Sequence, residues 1–221
     1  MCFSAGASFT AGVLLTFTGA ETLRKVHKPS QIGFASIPIF FGFQQFAEGV
    51  LWLAINKPQF AGLQAVMTTI FLIMAQILWP ILVPLSVLLM EKHKIRKRIL
   101  LFLLSVGAVV ALYSAYSLIF FHTHAEVSFL HIAYISDYKD PFRLIAMALY
   151  LIATLAPFFV SSIKNTHILG IIIGISFIIS AVFFYTYLIS VWCFFAAVVS
   201  FIVFYTIRDE HKKMRLKKQD S

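Results

Sequence analysis

An acidic side chain inside an otherwise apolar stretch is the first group in this sequence that points to chemistry. Glu48 lies in the run FGFQQFAEGVLW, where helical spacing places Phe41, Gln44, Gln45, Glu48 and Trp52 within an arc of about 100° on one face. An ionisable side chain in a lipid-embedded helix is costly, so it faces the protein interior and is a functional candidate. We expect Glu48 to be the charge or proton partner of a ligand and the two glutamines to orient that ligand.

The next apolar stretch, AQILWPILVP, carries two prolines that free backbone acceptors. Pro80 has no N–H for the carbonyl of Gln76, and Pro84 has none for the carbonyl of Pro80, so both carbonyls need donors near the middle of the membrane. A short loop joins the two helices, and antiparallel packing then places Gln76 at the depth of Glu48. The sequence predicts one buried polar pocket. A structural interpretation stays open, in which these side chains only hydrogen-bond one another and keep the helices in register.

Histidines in the one long loop, HTHAEVSFLHIAYISDYKDP, point to a second kind of site. In an extended segment His122, His124 and Glu126 share one side, which is ligand spacing for a divalent metal. The metal hypothesis takes His122, His124 and His131 as zinc ligands, and the alternative is that these histidines are simply solvated. The alternating apolar residues of the loop also favour a lid over the rest of the protein.

The two cysteines, Cys2 and Cys193, both fall at the predicted outer, oxidising face. One interpretation is that they are two small buried apolar residues. A disulfide between them and a reactive thiol pair are the other two.

The elements that must position these groups are membrane-spanning helices. The 221 residues are 60% hydrophobic and 12% charged, with a mean hydropathy of +0.89, and a soluble domain carries about twice that charged fraction. This composition excludes a disordered chain, a disulfide scaffold and a cytosolic enzyme. We expect an all-α polytopic bundle, with one transmembrane domain over residues 1–207 and a basic cytoplasmic tail over residues 208–221.

Seven spans follow from the rule that about 20 apolar residues cross a bilayer as a helix. The uninterrupted run from Ile168 to Ile207 would be about 60 Å long as one helix, so it must turn once. We place that turn around Tyr187–Ser190, with Ser190 as the N-cap of the last helix. The predicted spans are Phe3–Ala20, Gly33–Ile55, Leu63–Met90, Ile99–Phe121, Phe142–Ser162, Ile168–Tyr185 and Val191–Ile207.

The distribution of basic residues predicts the orientation of these spans. If the N-terminus lies outside, only Lys57, Lys139 and Arg143 of the 18 Lys and Arg residues fall on the outer side, as the positive-inside rule requires. The C-terminus is then cytoplasmic. The net charge of +9 is accounted for by this topology and by contact with anionic lipid, so no nucleic-acid partner is expected.

Four segments resemble those of a known family: the opening Met-Cys-Phe-Ser-Ala, FGFQQFAEGVLW, AQILWPILVPLSVLLME and VWCFFAA. With them the chain resembles an uncharacterised bacterial family of multi-pass membrane proteins of unknown function. The resemblance implies a bacterial inner (plasma) membrane location and carries no activity. It directs attention to Cys2, Gln45, Glu48, Trp79, Pro80, Pro84, Trp192 and Cys193.

The leading functional hypothesis is binding or transport of a small molecule or lipid, without a cofactor, in a pocket centred on Glu48. The other contacts of that pocket are Gln44, Gln45, Gln76, Trp79 and Trp52. The alternative is a membrane-embedded metal-dependent lipid hydrolase at the outer leaflet, with zinc on His122, His124 and His131 and with Glu48 as the base. A structural subunit is a third interpretation, and the sequence leaves the oligomeric state open.

Overall fold

The computed structural model describes residues 4–128, 131–138, 141–163 and 165–209. It is 82% helical with one small sheet, which confirms a mostly helical protein. The elements in chain order are α1 (Ala5–Arg24), α2 (Ile32–Ala35), α3 (Ile37–Ala54), α4 (Ala61–Leu72), α5 (Trp79–Met90), α6 (Lys94–Phe120), β1 (Thr123–Ser128), β2 (His131–Ser136), α7 (Arg143–Val160), α8 (Thr166–Phe183) and α9 (Leu188–Val199). Short 3-10 turns lie at Pro29–Gln31, Pro58–Phe60 and Tyr185–Tyr187, a π-helical segment joins α4 to α5 at Ile73–Leu78, and residues 201–209 are also helical.

Five helical segments within the described ranges are long and apolar enough to cross a membrane. They are Pro29–Ala54, Pro58–Met90, Lys94–Phe120, Arg143–Val160 and Thr166–Phe183. These segments coincide with the second to sixth predicted spans. Large apolar side chains on the outside of the bundle, such as Phe17, Leu112 and Phe183, are 69%, 72% and 73% exposed, as befits a surface that faces hydrocarbon.

The chain turns slightly earlier than predicted between its last two long helices. α8 ends at Phe183, and the 3-10 turn Tyr185–Tyr187 leads directly into α9. Ser190 therefore lies inside α9, and its prediction as an N-cap is wrong. Because α9 begins two residues earlier, the Ser190 hydroxyl is not at the helix end, and it donates to the carboxylate of Glu48.

A β-hairpin occupies the long loop, where the sequence predicted an extended segment but no sheet. β1 and β2 are antiparallel, with Thr123 opposite Ser136 and Ser128 opposite His131. The hairpin packs on the end of α3, where Ala125 and Ile132 meet Leu51 in a small apolar cluster. It thereby closes one end of the helical bundle.

The helix that carries Glu48 is packed tightly against α1. A Cβ atom added at Gly42 would lie 2.7 Å from Oγ1 of Thr16 and 3.0 Å from the carbonyl oxygen of Gly12. Only a residue without a side chain allows the two backbones to approach this closely. This contact fixes one side of α3, and the adjoining face carries the polar residues into the protein.

Candidate functional site

The predicted polar face of α3 is completely buried. Gln44, Gln45 and Glu48 each have no exposed surface. The Ser190 hydroxyl donates to Oε1 of Glu48 at 2.5 Å, and Nε2 of Gln45 donates to Oε2 at 3.4 Å. Glu48 therefore ties α3 to α9, which lies 142 residues further along the chain.

Trp79 ties the same face to α5. Its indole N–H donates to Oε1 of Gln44 at 2.9 Å. Its ring stacks on Phe41, with 3.9 Å between the ring centroids and 21° between the planes. The hydrogen bond is buried, so the Trp79 N–H and Oε1 of Gln44 are paired where water cannot compete.

The sequence predicted that Pro80 and Pro84 free two backbone carbonyls. In the structure the helix is distorted directly before α5. The chain widens to a π-helix over Ile73–Leu78, which accommodates the ring of Pro80 without a clash with the preceding turn. The carbonyl of Ala75 in this segment accepts a hydrogen bond from the Tyr150 hydroxyl at 2.6 Å. The Pro80 carbonyl packs against Gly107, where an added Cβ would lie only 1.8 Å from the oxygen.

A cavity of about 320 Å³ lies beside this cluster, between the π-helical segment, α6, α7 and α9 and beneath the hairpin. Its wall is rich in hydroxyl groups and contains one formal charge among the described residues, that of Arg143. The hydroxyl and amide residues of the wall are Gln76, Tyr113, Ser114, Ser117, Thr123, Tyr134, Ser136, Tyr138, Tyr150, Tyr185, Thr186 and Tyr187.

The predicted ligand contacts divide between the cluster and the cavity. Gln44, Gln45, Glu48 and Trp79 lie together in the cluster, whereas Gln76 lies in the cavity wall. The cluster reaches the cavity at Cys193, a wall residue that lies beside the Gln44 amide and within electrostatic range of the Glu48 carboxylate.

Trp52 lies apart from the other predicted ligand contacts. It packs with Leu51, Ile55, Ala125 and Ile132 under the hairpin. Its indole N–H is buried and has no hydrogen-bond partner among the described residues. Trp52 is therefore not among the described residues that line the cavity.

The three histidines of the metal hypothesis do not converge. Nε2 of His124 lies 3.1 Å from Oε1 of Glu126, and the ring of His122 is 6.0 Å from that of His124. The strand register places His131 opposite Ser128, four residues along β1 from His124, which is about 13 Å at the usual rise of a strand. Across the described ranges, no three His, Cys, Asp or Glu side chains are placed to hold a metal ion.

His131 has a structural environment of its own. It is 8% exposed and packs against the rings of Phe184 and Tyr187, at 5.1 and 4.9 Å between centroids. Burial lowers the pKa of this imidazole below its ordinary value. The hairpin is anchored here to the turn before α9, since the Tyr187 hydroxyl also donates to Ser128 at 2.8 Å.

The predicted disulfide involves a residue outside the described ranges. Cys2 is not among the described residues, so the pairing of Cys2 with Cys193 stays a prediction. Cys193 is buried against Phe71, Leu72 and Ala75. This packing matches the interpretation of Cys193 as a small apolar residue.

A second buried carboxylate, which the sequence analysis did not single out, lies at the other end of the bundle. Glu91 is 2% exposed and follows directly after α5. It accepts hydrogen bonds from the backbone N–H groups of Lys92, His93 and Ser162 at 2.8, 3.0 and 2.7 Å, and from the Ser162 hydroxyl at 2.7 Å. Burial alone would raise the pKa of Glu91, but these four hydrogen bonds outweigh it and lower the pKa to about 2.

The signal for Glu91 was present but easy to miss. It is the acid that closes the segment AQILWPILVPLSVLLME, immediately before a run of basic residues. An acid in that position looks like an ordinary member of a solvated, charged loop. Its partner Ser162 lies 71 residues away, and no local sequence pattern predicts such a contact.

Comparison with known proteins identifies a family but no activity. No curated protein and no solved structure matches the chain. One family model matches residues 1–218, nearly the full length, and this confirms the resemblance to an uncharacterised family. The chain belongs to a family of unknown function (DUF6629).

Proposed function

We propose that the chain is a seven-span membrane protein of the bacterial inner membrane, with its N-terminus outside, and that its cavity binds a small ligand. Five apolar helices and the distribution of basic residues support membrane insertion. The function rests on one observation, the hydroxyl-rich cavity of about 320 Å³ bounded by helices and by the hairpin. This volume falls in the range of small-molecule sites, roughly 300–1,000 Å³.

Two further helices account for the other proposed spans. In α1 the hydroxyl groups of Thr10, Thr16, Thr18 and Thr22 donate to backbone carbonyls four residues earlier. Their polar atoms are therefore satisfied within the helix, as lipid requires. The seventh span combines the apolar helix at Tyr185–Phe195 with the helical residues 201–209.

The cavity belongs to the outer half of this arrangement. Its wall includes Thr123 and Ser136 on the hairpin and Arg143 at the start of α7. The basic residues at the start of α6 lie at the opposite end of that helix, a 27-residue segment from Lys94 to Phe120. A ligand therefore enters from outside, beside the hairpin.

The chemistry of the wall favours a ligand rich in hydrogen-bond acceptors. Hydroxyl and amide groups supply donors, Arg143 supplies a positive charge at the mouth, and the described part of the wall has no carboxylate. Arg143 lies over the ring of Tyr185, with 5.5 Å from the guanidinium carbon to the ring centroid. This cation–π contact holds the guanidinium group against the cavity wall. An acceptor-rich or anionic group would bind beside it.

In this proposal Glu48 is a positioning residue. It accepts a hydrogen bond from Ser190 on α9, three residues before Cys193 of the wall. The carboxylate thus fixes the distance between α3 and the helix that carries Cys193 and Trp192. A change at Glu48 alters the shape of the cavity even though the carboxylate is not part of the described wall.

Native mass spectrometry of the gently purified protein, after incubation with an extract of host metabolites and lipids, tests the proposal. The blocking variant is Ser114→Trp, which fills the cavity, and the matched control is Leu112→Trp, which lies on the lipid-facing side of the same helix. We expect one organic mass on the wild type and on Leu112→Trp, and its loss from folded Ser114→Trp. Equal retention by both variants, or bare protein in every sample, contradicts a ligand site in this cavity.

A further inference from the structure

We propose that the cavity is the outer half of a passage through the protein and that Tyr150 is its gate, so that the protein transports the ligand that it binds. The inference rests on the proposed function, since it concerns the same cavity. It goes beyond binding because it assigns a route across the membrane and the residue that closes it.

A second, smaller cavity continues inward from the first. It has a volume of about 50 Å³ and is lined mainly by apolar side chains, among them Phe41, Val83, Leu169 and Val203. Leu169 lies near the start of α8 and Val203 lies beyond α9 towards the basic tail. The second cavity therefore extends towards the end of the bundle that carries the basic loops.

The two cavities share a wall of three residues, Tyr150, Trp192 and Cys193. One stripe of α7 runs through both. Arg143 and Met147 line the outer cavity, Tyr150 lines both, and Thr154 lines the inner one. These positions recur every three or four residues, so they form one continuous face of the helix.

Tyr150 is held in the closed position by a small number of contacts. Its hydroxyl donates to the Ala75 carbonyl at 2.6 Å, and its ring meets Trp192 edge to face at 5.7 Å between centroids. Trp192 in turn donates its indole N–H to the Ile173 carbonyl at 3.4 Å. The acceptor Ala75 lies in the π-helical segment Ile73–Leu78, a type of distortion that recurs at functional sites. Rotation of the Tyr150 side chain breaks one hydrogen bond and joins the two cavities.

The two linings restrict the class of substrate. The outer cavity offers hydroxyl donors and Arg143. The three hydroxyls of the inner cavity, those of Tyr150, Thr154 and Ser200, already donate to backbone carbonyls. A hydrated ion would lose its water there without replacement. The substrate that fits both halves is a small organic molecule with one acceptor-rich group and an apolar body.

Side-specific thiol labelling in sealed right-side-out vesicles tests the gate. The probe is a small membrane-impermeant methanethiosulfonate added outside. In a Cys2→Ser, Cys193→Ser background, Ser114→Cys reports on the outer cavity, since Ser114 lines only that cavity. In the same background, Ser200→Cys reports on the inner cavity, behind the proposed gate.

We expect Ser114→Cys to be labelled from outside and Ser200→Cys to be almost unreactive while Tyr150 is present. Adding Tyr150→Ala should raise the labelling rate of Ser200→Cys by about tenfold, and Tyr150→Phe, which keeps the ring but loses the hydrogen bond, should raise it less. Tyr113→Ala is the matched control, since Tyr113 lines only the outer cavity, and it should leave the rate unchanged.

The outcomes separate the gate from the site itself. If Ser114→Cys is labelled but Tyr150→Ala and Tyr150→Phe leave Ser200→Cys as unreactive as before, the gate is wrong and the outer site stands. If Ser200→Cys is labelled equally with Tyr150 in place, the passage is open and Tyr150 is not its gate. If Ser114→Cys is not labelled from outside, the outer cavity and the proposed function both fail.

Discussion

Two glutamates are almost completely buried in the described part of the chain, and they are held in different ways. Glu91, at the basic end, accepts three backbone N–H groups and one hydroxyl from two loops. Glu48, within the bundle, accepts hydrogen bonds from the side chains of Ser190 and Gln45. Backbone donors are fixed by the fold, whereas side-chain donors can change rotamer. We infer from this comparison that Glu91 mainly stabilises the fold. Glu48 instead belongs to a region beside the cavity whose side chains can rearrange.

The largest expected effect comes from removing the Glu91 carboxylate. Glu91→Ala removes the acceptor of four hydrogen bonds, and at about 1 kcal/mol for each we expect a loss of about 4 kcal/mol in the free energy of unfolding. Denaturant unfolding in detergent, followed by tryptophan fluorescence, measures it. Glu21→Ala is the control, because Glu21 pairs with Arg24 on an exposed surface and should change stability by less than about 0.5 kcal/mol. An equal loss of stability in Glu91→Ala and Glu21→Ala would contradict a stabilising role of Glu91.

The pH dependence of stability is the next largest effect. The pKa of Glu91 falls from 4.5 to about 2 on folding, so the folded state favours the charged form. This contribution, about 3 kcal/mol, is fully present above pH 4.5 and is lost as the pH falls towards 2. Unfolding measured between pH 2 and 6 should show the decline in wild type and a flatter profile in Glu91→Gln. Parallel profiles for the two proteins would contradict the assignment.

A smaller change is expected at the other glutamate. Ser190→Ala removes the hydroxyl that donates to Glu48 and should lower the free energy of unfolding by about 2 kcal/mol, the usual contribution of a hydrogen bond to a charged group. Ser105→Ala is the matched control, since its hydroxyl bonds only its own helix on an exposed face. A loss from Ser190→Ala as large as that from Glu91→Ala would mean that both glutamates are equally structural.

The smallest predicted effect concerns the indole that holds Gln44. Trp79→Phe removes the N–H donor to Gln44 and should cost about 1 kcal/mol. Trp52→Phe is the matched change, because the Trp52 N–H has no partner among the described residues. We expect Trp52→Phe to be the better tolerated of the two. The reverse order of midpoints in thermal unfolding would show that the Trp79–Gln44 contact contributes nothing.

The helices were predictable from the sequence because long apolar runs and their basic boundaries are local features. The polar face of α3 was predictable for the same reason, since Gln44, Gln45 and Glu48 follow helical spacing. The partners of that face were not. Ser190 lies 142 residues from Glu48, and a contact over that distance depends on how the helices pack.

Gln76 and the hairpin show two other limits of local reasoning. Antiparallel packing predicted Gln76 next to Glu48. The π-helical segment adds one residue to a helical turn, and one extra residue rotates the side chains that follow by about 100° around the helix axis. Gln76 lies in the cavity wall instead. The hairpin was predicted only as an extended loop, because no Asn-Gly or Asp-Gly pair marks its turn.

The most direct test of the account compares the two glutamates in one measurement. Native mass spectrometry is performed on wild type, Glu48→Gln and Glu91→Gln, all purified at pH 7 and checked for folding, after incubation with the same metabolite and lipid extract. We predict that Glu91→Gln keeps the organic mass that wild type carries and that Glu48→Gln loses it. Retention by Glu48→Gln at the wild-type level, or loss from both folded variants alike, would contradict a ligand site that Glu48 positions.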